Sequence, residues 1–202
     1  MTTPDWQFLV KKAAENWLDW KNVYEHTGVS RDNPLLVDGT KFGSFLITYS
    51  VGRTIRSGTS EQLRNLLCSP QFQLTTLLED TTGAKIDEQN SMLRAQFGTH
   101  QGQRGLRSAL SKIAAFLAPH AFNAWDTQAR KGLKRTLQWR SPRTYAEYLA
   151  GVNQLLAGEL GERIRDACID NYPTRYAKDR DRFHRRVLDR YLMDLGGRPR
   201  RE

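Results

Sequence analysis

Helical periodicity dominates this chain of 202 residues and leaves little room for a β-sheet. Residues 4–26 place apolar side chains mostly three and four positions apart, which is the stripe of an amphipathic helix. The stripe consists of Trp6, Leu9, Val10, Ala13, Trp17, Trp20 and Tyr24. Residues 42–51 have the composition of either a strand or a buried helix, and we favour the helix because no partner strand is evident.

Capping residues and helix breakers divide the rest of the chain into further helices. The predicted helices cover residues 60–68, 71–79, 85–97, 106–118, 127–138, 143–158, 160–170 and 176–195. Residues 98–105 contain three glycines and are predicted to form a loop, and residues 196–202 are predicted to fray. With roughly 100–200 residues per domain as the norm, we expect a single all-α domain over residues 1–202.

Positive charge is concentrated in the second half of the chain. Residues 1–100 hold 10 basic and 11 acidic side chains, and residues 101–202 hold 21 and 11, so the net charges are −1 and +10 and sum to +9. The chain thus has a near-neutral half and a basic half, which covers residues 101–195 when the tail is left out. This asymmetry indicates a basic face that meets a polyanion, because each phosphate neutralised by Lys or Arg releases counterions and so favours binding. DNA is the partner we expect, although contact with a ribosome or a membrane surface would produce a similar pattern.

Several classes of protein are excluded by what the chain lacks. No apolar run approaches the ~20 residues that cross a bilayer, and residues 1–5 lack the layout of a signal peptide, so we expect a soluble, cytoplasmic protein without a membrane partner. Cys68 and Cys168 cannot form a four-cysteine site. The histidines His26, His100, His120 and His184 lack the spacing of metal ligands. We therefore expect neither a metal nor a cofactor.

The segment from Ser108 to Leu133 contains the best candidates for chemistry. Lys112 lies on the shoulder of its helix, about 100–120° from the centre of the apolar stripe, where partial burial begins to lower the pKa of an amine. Asp126 directly precedes the next helix, where first-turn amides and the positive helix end favour an ionised carboxylate. Each residue also has a purely structural interpretation, as a boundary lysine and as a helix cap.

A helical lysine, an apolar run ending at Pro119 and an aspartate opening the next helix resemble the catalytic core of helix-hairpin-helix DNA glycosylases, especially the bacterial 8-oxoguanine DNA glycosylase-like proteins. The resemblance implies a two-lobed helical fold in which Lys112 attacks C1′ of the target nucleotide and forms a Schiff base. It implies that Asp126 positions and activates Lys112 and stabilises the oxocarbenium-like transition state. The chain departs from the family in two respects. The family has a glycine two residues before the lysine, whereas the nearest one here is Gly105, and Lys112 and Asp126 are slightly closer in sequence than in the better-known members.

Basic and aromatic side chains around this pair suit a nucleic acid. The candidate DNA-binding residues are Arg104, Arg107, Arg130, Lys131, Lys134, Arg135, Arg140 and Arg143. The candidate base-pocket residues are Phe116, His120, Asn123, Trp125 and Trp139. A solvated helix face with core aromatics is the alternative for this patch. The arginines between Arg175 and Arg190 alternate with acids, so pairs within the helix are expected to neutralise many of them.

These observations lead to two hypotheses. The first is a monomeric DNA glycosylase that excises a damaged or modified base, with possible abasic-site lyase activity. It would act in base-excision repair or in defence against phages whose DNA carries modified cytosines. The second is a non-catalytic helical DNA-binding protein in which Lys112 contacts phosphate and Asp126 only caps a helix.

Overall fold

A computed structural model describes residues 4–15, 61, 64–65, 79–97, 103–171 and 180–197. Within these ranges the chain forms seven helices and no strand, which confirms the all-α prediction. The helices are α1 (residues 6–15), α2 (Ala84–Phe97), α3 (Gln103–Leu117), α4 (Thr127–Leu137), α5 (Tyr145–Ala157), α6 (Glu159–Asn171) and α7 (Arg180–Leu195). In the described part of the chain, no helix has both the length and the apolar character needed to cross a bilayer.

One sequence prediction about the end of a helix is wrong. α3 begins at Gln103, so the predicted glycine-rich loop is already helical at Gly105. A helical glycine costs about 1 kcal/mol relative to alanine, and the burial of Leu106 and Ala109 in the next turn offsets this cost. Gly196 and Gly197 follow α7 in a turn, in which the Gly196 amide donates to the Leu192 carbonyl at 2.9 Å. The predictions for residues 16–60 and for most of 62–78 lie outside the described residues, as do those for 98–102, 172–179 and 198–202.

α4 and α7 run antiparallel and approach each other closely. A Cβ atom added at Gly132 would lie 2.0 Å from the Leu192 carbonyl oxygen, and one added at Gly196 would lie 2.0 Å from the Gln128 carbonyl oxygen. Both positions therefore require glycine because backbone occupies the space of a side chain. This contact fixes the N-terminal end of α4, where Asp126 lies, against the C-terminal end of α7.

Asp87 on α2 joins the two halves of the chain. Its carboxylate accepts hydrogen bonds from the amides of Tyr145 and Ala146, each at 2.9 Å, and so caps the N-terminal end of α5 from another helix. Its Oδ1 also lies 2.8 Å from Nε of Arg107 on α3. Three helices therefore meet at one carboxylate.

The apolar core lies between α5 and the helices around it. The largest of its fully buried side chains include Tyr145, Tyr148, Phe122 and Phe183. α1 closes one side, where Trp6 stacks on Tyr191 with the ring centroids 5.5 Å apart. This packing leaves the outer face of α4 in solvent.

Candidate active site and nucleic-acid interface

Two serines on α3 hold the chain just before Asp126. The buried Ser111 hydroxyl accepts a hydrogen bond from the Trp125 amide at 2.9 Å and donates one to the Ser108 carbonyl at 3.1 Å. The Ser108 hydroxyl donates to the Trp125 carbonyl at 3.3 Å. The loop of residues 118–126 is therefore tied to α3 at Trp125, and we call these contacts the serine clamp.

Lys112 follows Ser108 by four residues, so both lie on the same face of α3. Its side chain is half-buried, as the shoulder position predicts, and its helical neighbours Ser111 and Ile113 are buried. Lys112 thus lies on the face of α3 from which the serine clamp is made. None of the ion pairs between described residues joins Lys112 to Asp126.

Asp126 is the N-cap of α4, as its position in the sequence predicts. Its backbone is extended, with φ −114° and ψ 142°. One side-chain oxygen, Oδ1, accepts hydrogen bonds from the amides of Gln128 at 2.7 Å and Ala129 at 3.3 Å. The carboxylate is held at the positive end of the helix, where negative charge is stabilised.

Trp125, a candidate base-pocket residue, lies inside the protein. Its side chain is 7% exposed. The guanidinium carbons of Arg107 and Arg130 lie 5.1 Å and 4.1 Å from its ring centroid, and Tyr148 meets it edge-on at 5.6 Å. The indole therefore packs against cations and tyrosines of the protein itself and is not open to a nucleobase in this structure.

Arg107 and Arg130, both candidate DNA contacts, also bind within the protein. Arg107 pairs with Asp87 and donates to the Arg143 carbonyl at 3.0 Å. Arg130 donates to the Pro142 carbonyl at 2.7 Å. These hydrogen bonds brace the segment between α4 and α5. The side chain of Arg104 lies outside the described residues.

Arg185 on α7 holds the loop of residues 118–126 from the opposite side, a role that sequence reasoning missed. It donates to the His120 carbonyl at 2.6 Å, to Oδ1 of Asn123 at 3.0 Å and to Oδ1 of Asn153 at 2.6 Å. Burial lowers the pKa of Arg185 from its usual value. The sequence did carry a signal for this role. Leu188 and Leu192 follow Arg185 by three and seven residues, so Arg185 lies on the face of α7 that these core residues share.

Asn123 is buried at 3% exposure and is fully engaged by this network. The Tyr145 hydroxyl donates to its carbonyl at 2.6 Å, and burial raises the pKa of Tyr145, which keeps the hydroxyl protonated and able to donate. Of the other candidate pocket residues, His120 is exposed and Phe116 packs half-buried against the core. Of the candidate pocket residues in this loop, Asn123 and Trp125 are therefore buried and His120 is exposed.

The remaining candidate DNA contacts lie on the surface of α4 and the segment after it. We call this set the α4 basic surface, and it consists of the exposed residues Lys131, Lys134, Arg135, Arg140 and Arg143. Arg140 is 68% exposed and pairs with Glu147 at 2.9 Å, and Arg135 donates to the Leu195 carbonyl. On α7, Arg186 pairs with Asp189 and Arg190 with Asp194, as expected for these two arginines, whereas Arg185 binds outside the helix.

Within the described ranges, no group of three or more histidine, cysteine, aspartate or glutamate side chains is arranged to hold a metal ion. The chain matches no family model, no curated protein and no solved structure.

Proposed function

We propose that this chain binds DNA through the α4 basic surface and cleaves an N-glycosidic bond between Lys112 and Asp126. The serine clamp is the observation that carries the proposal. It fixes the residue before Asp126 to the α3 face on which Lys112 lies, so an amine and a carboxylate border the same short loop. A nucleotide that is flipped out of the duplex and bound at that loop would contact both the Lys112 amine and the Asp126 carboxylate.

In the proposed reaction, the unprotonated Nζ of Lys112 forms a bond to C1′ of the target nucleotide. The C1′–N bond breaks, and its electron pair leaves with the base, which takes up a proton. The Asp126 carboxylate at the start of α4 would face the positive charge that develops on the sugar. Loss of a proton from the lysine nitrogen and opening of the sugar ring then give a Schiff base, which water hydrolyses.

The α4 basic surface supplies the binding side of the proposal. Lys131, Lys134 and Arg135 project from α4, the helix that Asp126 caps, so phosphate contacts and the carboxylate share one rigid element. Rigid elements hold reacting groups more reliably than loops do. Flipping a base costs a few kcal/mol, and phosphate contacts of this kind can offset that cost.

A non-catalytic DNA-binding protein is the second candidate. The burial of Trp125 and Asn123 favours it, because a base pocket formed in the loop of residues 118–126 would need one of them to turn outward. In that case Asp126 is only the cap of α4, and Lys112 is one more phosphate contact.

Borohydride trapping distinguishes the two candidates. The protein is incubated with duplexes that contain 8-oxoguanine, uracil, alkylated bases or phage-type modified cytosines, and both the trapped adduct and the released base are measured. We expect an adduct and a released base with one of these duplexes, and loss of both in Lys112→Ala. Lys85→Ala is the matched control, because Lys85 is a surface lysine on α2 that pairs with Glu88 and should leave the reaction unchanged.

Each other outcome assigns a different function. Released base without an adduct would remove Lys112 from the chemistry and leave Asp126 acting on a water molecule. Tight DNA binding without base release would support the non-catalytic candidate. Absence of DNA binding would contradict both.

A further inference from the structure

Trp139 is the exposed aromatic side chain of the described residues, at 45% exposure. It borders a shallow groove of about 450 Å³ that lies beside the end of α4. The groove is lined by Trp139, Arg140, Pro142, Glu147 and Ala150. An indole face next to an exposed guanidinium group is a surface on which a nucleobase can stack while its phosphate meets a cation.

The backbone before Trp139 adopts a costly conformation. Gln138, the C-cap of α4, has φ 54° and ψ 30°, and it is the one non-glycine residue of the described chain with a positive φ. Glycine is the usual residue at such a position because a side chain strains it. Its amide and that of Trp139 both donate to the Lys134 carbonyl, so the turn ends α4 and directs the chain outward at Trp139. Strained backbone of this kind is concentrated at ligand sites.

The far wall of the groove is fixed by Glu147. Its carboxylate accepts from the Arg143 amide at 2.7 Å and from the Arg140 guanidinium at 2.9 Å. The Arg143 amide is the main reason that the pKa of Glu147 lies below its usual value. From beneath, Arg130 binds the Pro142 carbonyl at 2.7 Å. The groove is therefore held in shape by contacts within the protein.

Within the groove, Trp139 lies at the opposite end of α4 from Asp126. Asp126 caps one end of α4 and Trp139 follows the other, so at 1.5 Å per residue they are about 20 Å apart along the helix. Stacked nucleotides are spaced about 3.4 Å apart, so this distance corresponds to about six nucleotides of one strand. Lys131 and Lys134 are exposed on α4 between the two ends.

We propose that the Trp139 groove is a second nucleobase subsite, in which an unpaired base of a DNA strand stacks on Trp139 about six nucleotides from the base at Lys112 and Asp126. The inference rests on the proposed DNA binding and deepens it by naming the substrate. The preferred DNA would carry a single-stranded stretch that follows α4. Lys131 and Lys134 would contact its phosphates, and Trp139 would contact a base.

The test compares two fluorescently labelled 12-nucleotide strands, oligo(dT) and an abasic strand with the same phosphates and no bases. Anisotropy titrations measure the dissociation constant of each for the wild type, Trp139→Ala, Trp139→Phe and Lys134→Ala. We expect Trp139→Ala to weaken oligo(dT) binding about tenfold and Trp139→Phe to retain most of the affinity. Neither should change the binding of the abasic strand.

Lys134→Ala is the matched control for phosphate contact. It should weaken both strands equally and reduce the slope of log K against log salt concentration by about 1. A Trp139→Ala protein that binds oligo(dT) as the wild type does, or that loses affinity equally for both strands, would overturn the subsite. Tighter binding of oligo(U) than of oligo(dT) would also overturn it, in favour of RNA.

The design separates failure of the subsite from failure of the proposed function. If the wild type binds neither strand nor a damaged duplex, DNA binding itself is refuted, and the subsite with it. If the wild type binds oligo(dT) and the Trp139→Ala variant binds it equally well, the subsite alone is refuted. Thermal melts followed by circular dichroism test whether each variant is folded. We expect all of them to fold, because Trp139 and Lys134 are exposed.

Discussion

Replacing Asp126 by asparagine separates its role as a helix cap from the role of its charge. A single oxygen of Asp126 accepts the amides of Gln128 at 2.7 Å and Ala129 at 3.3 Å. The side-chain oxygen of asparagine can accept the same two hydrogen bonds and caps a helix about as well. Asp126→Asn therefore removes the negative charge and leaves the cap in place, whereas Asp126→Ala removes both.

The expected losses of stability follow from these contacts. A charge at a helix end contributes about 0.3–1 kcal/mol to the free energy of unfolding, which is the loss expected for Asp126→Asn. An N-cap contributes about 1 kcal/mol more, so the loss expected for Asp126→Ala is about 1–2 kcal/mol. At this chain length 1 kcal/mol corresponds to about 2–4 °C in Tm. We therefore expect Tm to fall by about 1–4 °C in Asp126→Asn and about 2–8 °C in Asp126→Ala.

The assay pairs these melting curves with base release, measured well below both midpoints. We expect base release to be lost in both variants although Asp126→Asn is nearly as stable as the wild type. Thr144→Ala is the control, because Thr144 caps α5 in the same way, accepting the Glu147 amide at 3.1 Å, and should lose stability but keep base release. An Asp126→Asn protein that melts as expected and releases base at the wild-type rate would refute the catalytic role and leave only the cap.

Two further predictions concern the packing. Gly132→Ala is expected to lower the free energy of unfolding by at least about 2 kcal/mol in urea denaturation, because its Cβ would lie 2.0 Å from the Leu192 carbonyl oxygen and force α4 from α7. Gly158→Ala, whose Cβ would meet nothing closer than 3.5 Å, is the control, and equal midpoints for the two would contradict the close contact. Cys168 is 1% exposed and burial raises the pKa of its thiol to about 12, so in a Cys68→Ser background we expect Ellman's reagent to modify it only in denaturant. Prompt reaction of the native protein at pH 8 would show that the thiol is accessible.

The helices of the described chain were largely predictable because their signals are local. Aspartate is a residue type that favours the N-cap position, and Asp126 is the N-cap of α4 in the structure. Thr144 followed three residues later by Glu147 is a capping-box pattern, and Thr144 is the N-cap of α5. Gly105 was misjudged because glycine is a weak breaker when buried residues follow it. The partial burial of Lys112 was predictable from its angle to the apolar stripe.

The direction of the arginine side chains could not be predicted, because it is set by partners distant in sequence. Arg107 pairs with Asp87, and Arg185 reaches Asn123 across 62 positions. In the sequence Arg107 looked like a member of a basic surface, and Arg185 looked like one of the arginines that pair with acids in their own helix. In the sequence Trp125 looked available for stacking, but in the structure Arg107, Arg130 and Tyr148 pack against its ring and enclose it. Net charge therefore identified the basic half of the chain but not which of its cations face solvent.

The carboxylate of Asp87 has a consequence for any attempt to dissect the chain. The change in charge near residue 100 suggests a natural place to cut, and a fragment from residue 101 onward would keep the α4 basic surface, Lys112 and Asp126. Such a fragment would lack the acceptor for the first two amides of α5 and the counter-ion of Arg107. The basic half therefore draws part of its stability from the other half, because the first two amides of α5 bind a side chain that the other half contributes.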